Sequence, residues 1–316
     1  VELAHEAWFT DARPDYRWDF LLEPLTVAAV GSAILAVVLW RLMGSRLPRP
    51  ELGFLAFLER LVPYVPRLLA VHAGVSLIAQ AYGGTYLAPS LDLPDTPAGA
   101  ALAVAEGVLG VWLVSGWKVR PAAVLLALSG PLGMVAYGVV PILERVDLLG
   151  IALFLSRVPP GPDRYGAIHV DPERLRTPVW WLKGLAGASL VVLAFTEKLA
   201  RPDLALELLD RYPVLNVARA VGWQVPDLVF VTLAGAVELA FGLLLISGAL
   251  PQLVVLAAGV PFNATLFFFG AEELVGHLPL YGTMLALLVY GSSPVHAPVV
   301  AWLPGRREGV GSTPPP

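Results

Sequence analysis

The chain has 316 residues, 57% of them hydrophobic and 15% charged, with a net charge of -4 and a mean hydropathy of +0.70. A soluble domain carries about 25% charged residues, so a large soluble enzyme, a coiled coil, a disordered chain and a basic nucleic-acid binder are excluded. What remains is an integral membrane protein, whose apolar residues face lipid and each other.

Taken in chain order, residues 1–20 form an outer tail, and 21–66 hold a leading membrane helix and a cytoplasmic loop. Residues 67–157 make a first four-helix unit, and 158–178 a cytoplasmic linker around Pro159-Pro160-Gly161-Pro162. Residues 179–293 make a second four-helix unit, and 294–316 a cytoplasmic tail. The fold predicted is all-α, with membrane segments at 21–43, 68–86, 98–116, 121–140, 141–156, 179–195, 228–246, 252–269 and 274–290. That is about nine spans at the usual ~20 residues each. Pro63, Pro97, Pro178 and Pro226 mark helix starts, where a missing N–H does no harm. The run 203–211 has apolar residues at helical spacing, which predicts a short amphipathic helix on the outer surface. The Gly/Pro/Ser-rich end from 305 onward reads as disordered.

Basic residues orient the chain. One set of alternating loops holds Arg41, Arg46, Arg49, Arg60 and Arg67, then Lys118 and Arg120, then Arg157, Arg164, Arg174, Arg176 and Lys183, then Arg306 and Arg307. The other holds Arg13, Arg17, Arg145, Lys198, Arg201, Arg211 and Arg219, so the 21 Lys and Arg divide fourteen to seven. The richer side is cytoplasmic, which puts the N-terminus outside and, with an odd number of spans, the C-terminus inside.

The chain repeats itself. EGVLGVWLVSG at 106–116 matches ELAFGLLLISG at 238–248, pairing Glu106 with Glu238, Gly110 with Gly242, Ser115 with Ser247 and Gly116 with Gly248. The same offset pairs Gly150 with Gly282. Equivalent positions are separated by an even number of spans, so the copies are parallel and related by an axis along the membrane normal.

The stretches FTEKLARPDLALELLDRYP (195–213), VELAFGLLLISG (237–248) and FGAEELVGHLPLYGTMLALLVYG (269–291) resemble the DoxX/DoxD family of four-helix prokaryotic membrane proteins. The first unit resembles it less: Arg145-Val146-Asp147 stands where His277-Leu278-Pro279 would be, and Glu197-Lys198 has no clear counterpart. AHEAWF at 4–9 is similar to the start of some longer DoxX-related proteins. The resemblance implies a membrane subunit of a quinone-linked oxidoreductase in a prokaryotic cytoplasmic membrane. It implies quinone as cofactor and a soluble or membrane partner at the outer face.

Without cysteine, the chain holds no disulfide, Fe–S cluster, covalent haem or thiolate. Redox work would use a bound quinone or a partner. Glu238 lies ~15 Å and Glu106 ~12 Å into their spans, where acids are costly and commonly functional. Glu238 reads as a proton acceptor beside a quinol or as an acid hydrogen-bonding between helices; for Glu106 the second role is favoured. His277 would hydrogen-bond a quinone carbonyl and pass a proton to Glu272 or Glu273, or simply cap a helix. Glu197, Lys198 and Asn263 would complete this quinone site, in the second four-helix unit toward the outer leaflet; Lys198 could equally reach the headgroups. Thr265 reads as an interhelical bond. His72 has no second histidine at matching depth for a haem, His5 would be a copper ligand only beside a free amine, and no metal is assigned. The rival readings are a non-catalytic structural or assembly subunit of a membrane complex, and a small-solute transporter.

Overall fold

A computed structural model describes residues 6–10 and 14–305. His5, Arg13, Arg306, Arg307 and nearly all of the Gly/Pro-rich tail lie outside the described residues. The described chain is almost entirely helical. A short helix α1 (Glu6–Phe9) precedes the leading helix α2 (Pro24–Gly44), and a 3-10 stretch (Gly53–Tyr64) runs into α3 (Val65–Gly83). A two-stranded hairpin, β1 (Thr85–Tyr86) and β2 (Ala88–Asp92), leads to α4 (Pro97–Ser115), α5 (Val119–Tyr137), α6 (Val139–Leu143) and α7 (Val146–Arg157). After the linker come α8 (Pro172–Leu193), a π turn (Ala194–Leu199), α9 (Pro202–Arg211) and α10 (Val217–Ala220). α11 (Asp227–Ser247), α12 (Pro251–Gly291) and α13 (Ala297–Ala301) finish the fold.

Among the described residues, seven helices are long and apolar enough to cross a membrane. α12 has 41 residues but does not run straight. Gly270 takes φ 62° and ψ -134°, a conformation open to glycine alone. The chain reverses there, because Tyr281 Oη reaches the Phe262 carbonyl at 3.0 Å and Gln252 Nε2 reaches Ser292 Oγ at 2.8 Å. In one straight helix, 252 and 292 would stand ~60 Å apart. α12 is therefore two antiparallel limbs, the eighth and ninth sequence segments.

The matched glycines do the same work in both halves. A Cβ on Gly110 would stand 2.6 Å from the Gly74 carbonyl, and one on Gly242 would stand 2.7 Å from the Gly187 carbonyl. Only glycine lets α3 approach α4, and α8 approach α11, this closely. Gly150 of α7 packs on Trp181 and Leu185 of α8, whereas Gly282 of α12 packs on His72 of α3. The last helix of each half thus lies against the first helix of the other. Ser115 and Ser247 also behave alike: each hydroxyl donates to the carbonyl three residues back, and each accepts an N–H two residues on.

Two boundaries differ from the sequence reading. The segment 141–156 is broken between α6 and α7, since Arg145 and Asp147 are buried there and the polar side chains interrupt the apolar run. α7, at 12 residues, is only ~18 Å long. α8 begins well before Pro178, which lies inside it. Asp171 accepts the Glu173 N–H at 2.8 Å, and Pro172 opens the helix, so Asp-Pro rather than Pro178 sets the start. The amphipathic run is α9, whose Leu204, Ala205, Leu208 and Leu209 are buried.

Candidate functional site: a buried polar layer and an apolar cavity

The π turn at the end of α8 aims two consecutive charged side chains inward. Glu197 and Lys198 are each 1% exposed, which a regular α-helix on a bundle surface does not arrange for neighbours. Lys198 Nζ lies 2.7 Å from Glu6 Oε1 and 3.0 Å from Glu238 Oε2. Glu197 accepts the Glu6 N–H at 3.0 Å and the Ala7 N–H at 3.4 Å. The first turn of α1 is therefore capped by a carboxylate from the bundle. Removed from water, these charges stay together because each has an opposite charge or an N–H beside it.

A second group adjoins the first. Glu273 accepts the Thr265 hydroxyl at 2.6 Å, and His277 Nδ1 lies 3.4 Å from the same carboxylate oxygen. The Trp8 ring rests on His277 with centroids 5.0 Å apart, and the Arg145 guanidinium stands 5.9 Å from the Trp8 centroid. Gly276 provides the room, because a Cβ there would overlap the Trp8 ring. Phe9 stacks on Phe269 at 3.9 Å. Residues 6–9 thus pack against the π turn and α12.

The third group belongs to the first half. Glu106 is 4% exposed, and its Oε1 accepts the Leu87 N–H at 2.9 Å. Leu87 turns the β-hairpin at φ 60°, which presents that N–H to the helix. Glu106 Oε2 is buried and has no hydrogen-bond partner among the described residues. It lines a cavity of about 230 Å³ with Leu77, Tyr86, Leu102, Leu109 and Ser129. Leu125, Leu128 and Leu132 of α5 line it as well and are themselves exposed on the apolar flank. Arg145, buried with Nε and Nη2 unpartnered among the described residues, is within electrostatic reach of Glu106 and Glu144. Through the Trp8 ring it also adjoins the second group.

Of the residues expected to form one site, Glu238, Glu197, Lys198, Glu273 and His277 are brought together. Asn263 is not: it is exposed, donates to the Gly259 carbonyl of its own helix at 2.6 Å, and borders a shallow apolar groove. Glu106 stands apart in the other half. The crevice beside His277 has essentially no free volume. Glu6, Trp8, Arg145 and Glu144 were missed as parts of this layer. The available signal was charge inside otherwise apolar runs, at Glu144 and Arg145, which calls for buried partners. Among the described residues no group of three or more His, Asp or Glu could hold a metal ion. Comparison with known protein families, curated proteins and solved structures finds no match.

Proposed function

We propose that this is a DoxX/DoxD-like, quinone-linked membrane subunit of a prokaryotic cytoplasmic membrane, with its headgroup site in the Glu106 cavity. The observation that carries the reading is Glu106: a buried acid in the lining of an apolar cavity, with one carboxylate oxygen that has no hydrogen-bond partner among the described residues. A volume of 230 Å³ is below the roughly 300–1,000 Å³ of sites for drug-sized ligands. It suits one ring, with an isoprenoid tail lying along Leu125, Leu128 and Leu132. In the topology proposed, nine segments cross the bilayer as a leading helix and two parallel four-helix units, with the N-terminus outside. The fourteen-to-seven division of basic residues supports it.

A quinol supplies two protons and two electrons on oxidation. Glu106 Oε2 is placed to accept a hydroxyl hydrogen bond and then one proton. Leu87 N–H holds the other oxygen, so the carboxylate keeps its orientation throughout. Arg145 would stabilise the ionised form of Glu106. The second proton and both electrons would leave with the redox partner that oxidises the quinol at the outer face.

For the second-half cluster the role proposed differs from the one expected of it. Glu6 and Trp8 occupy the space around Lys198, Glu238 and His277, which favours reading those residues as the docking site of the N-terminal segment. The experiment for the quinone reading is titration of purified protein with a short-chain quinone, read by quenching of tryptophan fluorescence. Binding should weaken about tenfold or more in Glu106→Leu. Equal binding by that variant and the wild type would remove the reading.

A further inference from the structure

On the side opposite the buried polar layer, a cavity of about 630 Å³ is framed by the start of α3, the α4–α5 turn and the linker. Its walls carry four cations, Arg67, Lys118, Arg120 and Arg164, against one acid, Asp163. That acid is already engaged, since its Oδ1 accepts the Ala167 N–H at 2.6 Å. None of the four cations has a carboxylate within 4.0 Å among the described residues.

Three features of this spot cost stability and gain nothing from the protein itself. Arg67 Nη1 is buried with no hydrogen-bond partner among the described residues. Its guanidinium lies where a Cβ on Gly116 would overlap it, and its stem lies 3.2 Å from where a Cβ on Gly166 would stand. Two glycines therefore keep open the space this one side chain fills. Lys118 holds φ 43°, a left-handed conformation unfavourable for a residue with a side chain. Lys118 and Arg120 also sit at the N-terminal end of α5, where the helix dipole disfavours cations and no side chain caps the free N–H groups. A bound anion would offset the Arg67 guanidinium and the free N–H groups at the start of α5 together.

We propose that this cavity binds a phosphate group. Arg67 and Arg164 would contact its oxygens from opposite walls, and the Val119 and Arg120 N–H groups would contact it from the helix end. Trp117 is 64% exposed at the rim with Lys118 Nζ 4.9 Å from its ring, as expected of a residue at a lipid–water boundary. The phosphate would come from an anionic lipid headgroup of the adjacent leaflet or from a free phosphate. This site is independent of the quinone reading and opens on the other side of the molecule.

The test is native mass spectrometry of the full chain in detergent, titrated with dioleoylphosphatidylglycerol and, separately, with sodium phosphate. Arg67→Gln and Arg164→Gln should each weaken phosphatidylglycerol binding about tenfold, while Arg174→Gln, on the exposed start of α8, should leave it unchanged. Competition by millimolar sodium phosphate identifies a free phosphate as the occupant; retention of the lipid against it identifies the headgroup. Arg164 is on the linker, so its variant stays informative if Arg67→Gln does not fold. Equal phosphatidylglycerol affinity across the wild type and all variants, with no phosphate binding, overturns the proposal.

Discussion

Lys198 Nζ lies 2.7 Å from Glu6 Oε1, so the N-terminal segment is held to the helices by an ion pair with both side chains at most 1% exposed. Glu238 completes the arrangement from α11 at 3.0 Å. Breaking a buried pair leaves an uncompensated charge, at a cost of about 3–5 kcal/mol. Lys198→Met, which strands Glu6, Glu197 and Glu238 together, should therefore destabilise more than Glu6→Gln. Thermal unfolding in detergent measures the order. Equal melting temperatures for the two variants would contradict the cluster described.

Gly276→Ala tests whether Trp8 is seated on α12. A Cβ would overlap the indole ring, and overpacking of this kind costs about 1–3 kcal/mol. Trp8 should leave its place, with a red shift in fluorescence. In a Trp8→Ala background the same glycine change should cost much less, because the clash is gone. Additive effects would mean that the two residues do not touch.

The glycine contacts predict a symmetry of effect. Gly110→Leu and Gly242→Leu both push a side chain against a helix backbone, the carbonyls of Gly74 and Gly187 respectively. Each should destabilise by a similar amount, about 2 kcal/mol or more. Leucine at the neighbouring Val108, 60% exposed, should change stability by less than about 0.5 kcal/mol. Chemical denaturation in mixed micelles compares all three.

Much of this architecture is written in local pattern. The apolar runs give the long helices, and the spacing of Gly110, Gly150, Gly242 and Gly282 marks the helix contacts before any coordinates are seen. The helix start at Asp171-Pro172 was also legible, but Pro178 drew attention away from it. Other features depend on distant residues. Nothing near Glu6 shows that it will meet Lys198. The π turn that brings Glu197 and Lys198 inward together has no signature in AFTEKL. The break at Arg145 was visible as charge inside an apolar run, yet its purpose needed Trp8 and Glu106 on other elements. The Glu106 cavity depends on a hairpin whose turn residue, Leu87, carries none of the usual turn chemistry.

His296 gives a pH dependence outside the membrane-spanning helices. Partial burial lowers its pKa, while Glu59 opposes the shift. A lowered pKa in the folded state means that the unfolded chain binds the proton more readily. The stability this group contributes is present above its unfolded pKa of about 6.5 and is lost as pH falls through and below it. His296→Gln should flatten that part of the stability profile. Its Nδ1 lies 3.0 Å from Ser293 Oγ, and glutamine can retain a polar contact there. A profile unchanged by the substitution would contradict the assignment.

Glu106→Gln separates binding from folding. Glutamine keeps an acceptor for the Leu87 N–H, so stability should change by no more than about 1 kcal/mol. Proton acceptance, by contrast, is lost. In a reconstituted quinol-oxidising assembly, turnover should fall about 100-fold or more, as for a lost general base, with little change in the quinol concentration needed for half-maximal rate. A proportional loss of folded protein would point to a structural acid instead.

The central claim is that a quinone ring enters between α4 and α5. Photolabelling with an azidoquinone, followed by peptide mapping, tests it most directly. Label is expected within 102–109 and 125–132, displaced by excess unmodified quinone and blocked by Leu128→Trp. Displaceable label on 262–284 or 228–242, with none on α4 or α5, would place the ring in the second half and contradict the account.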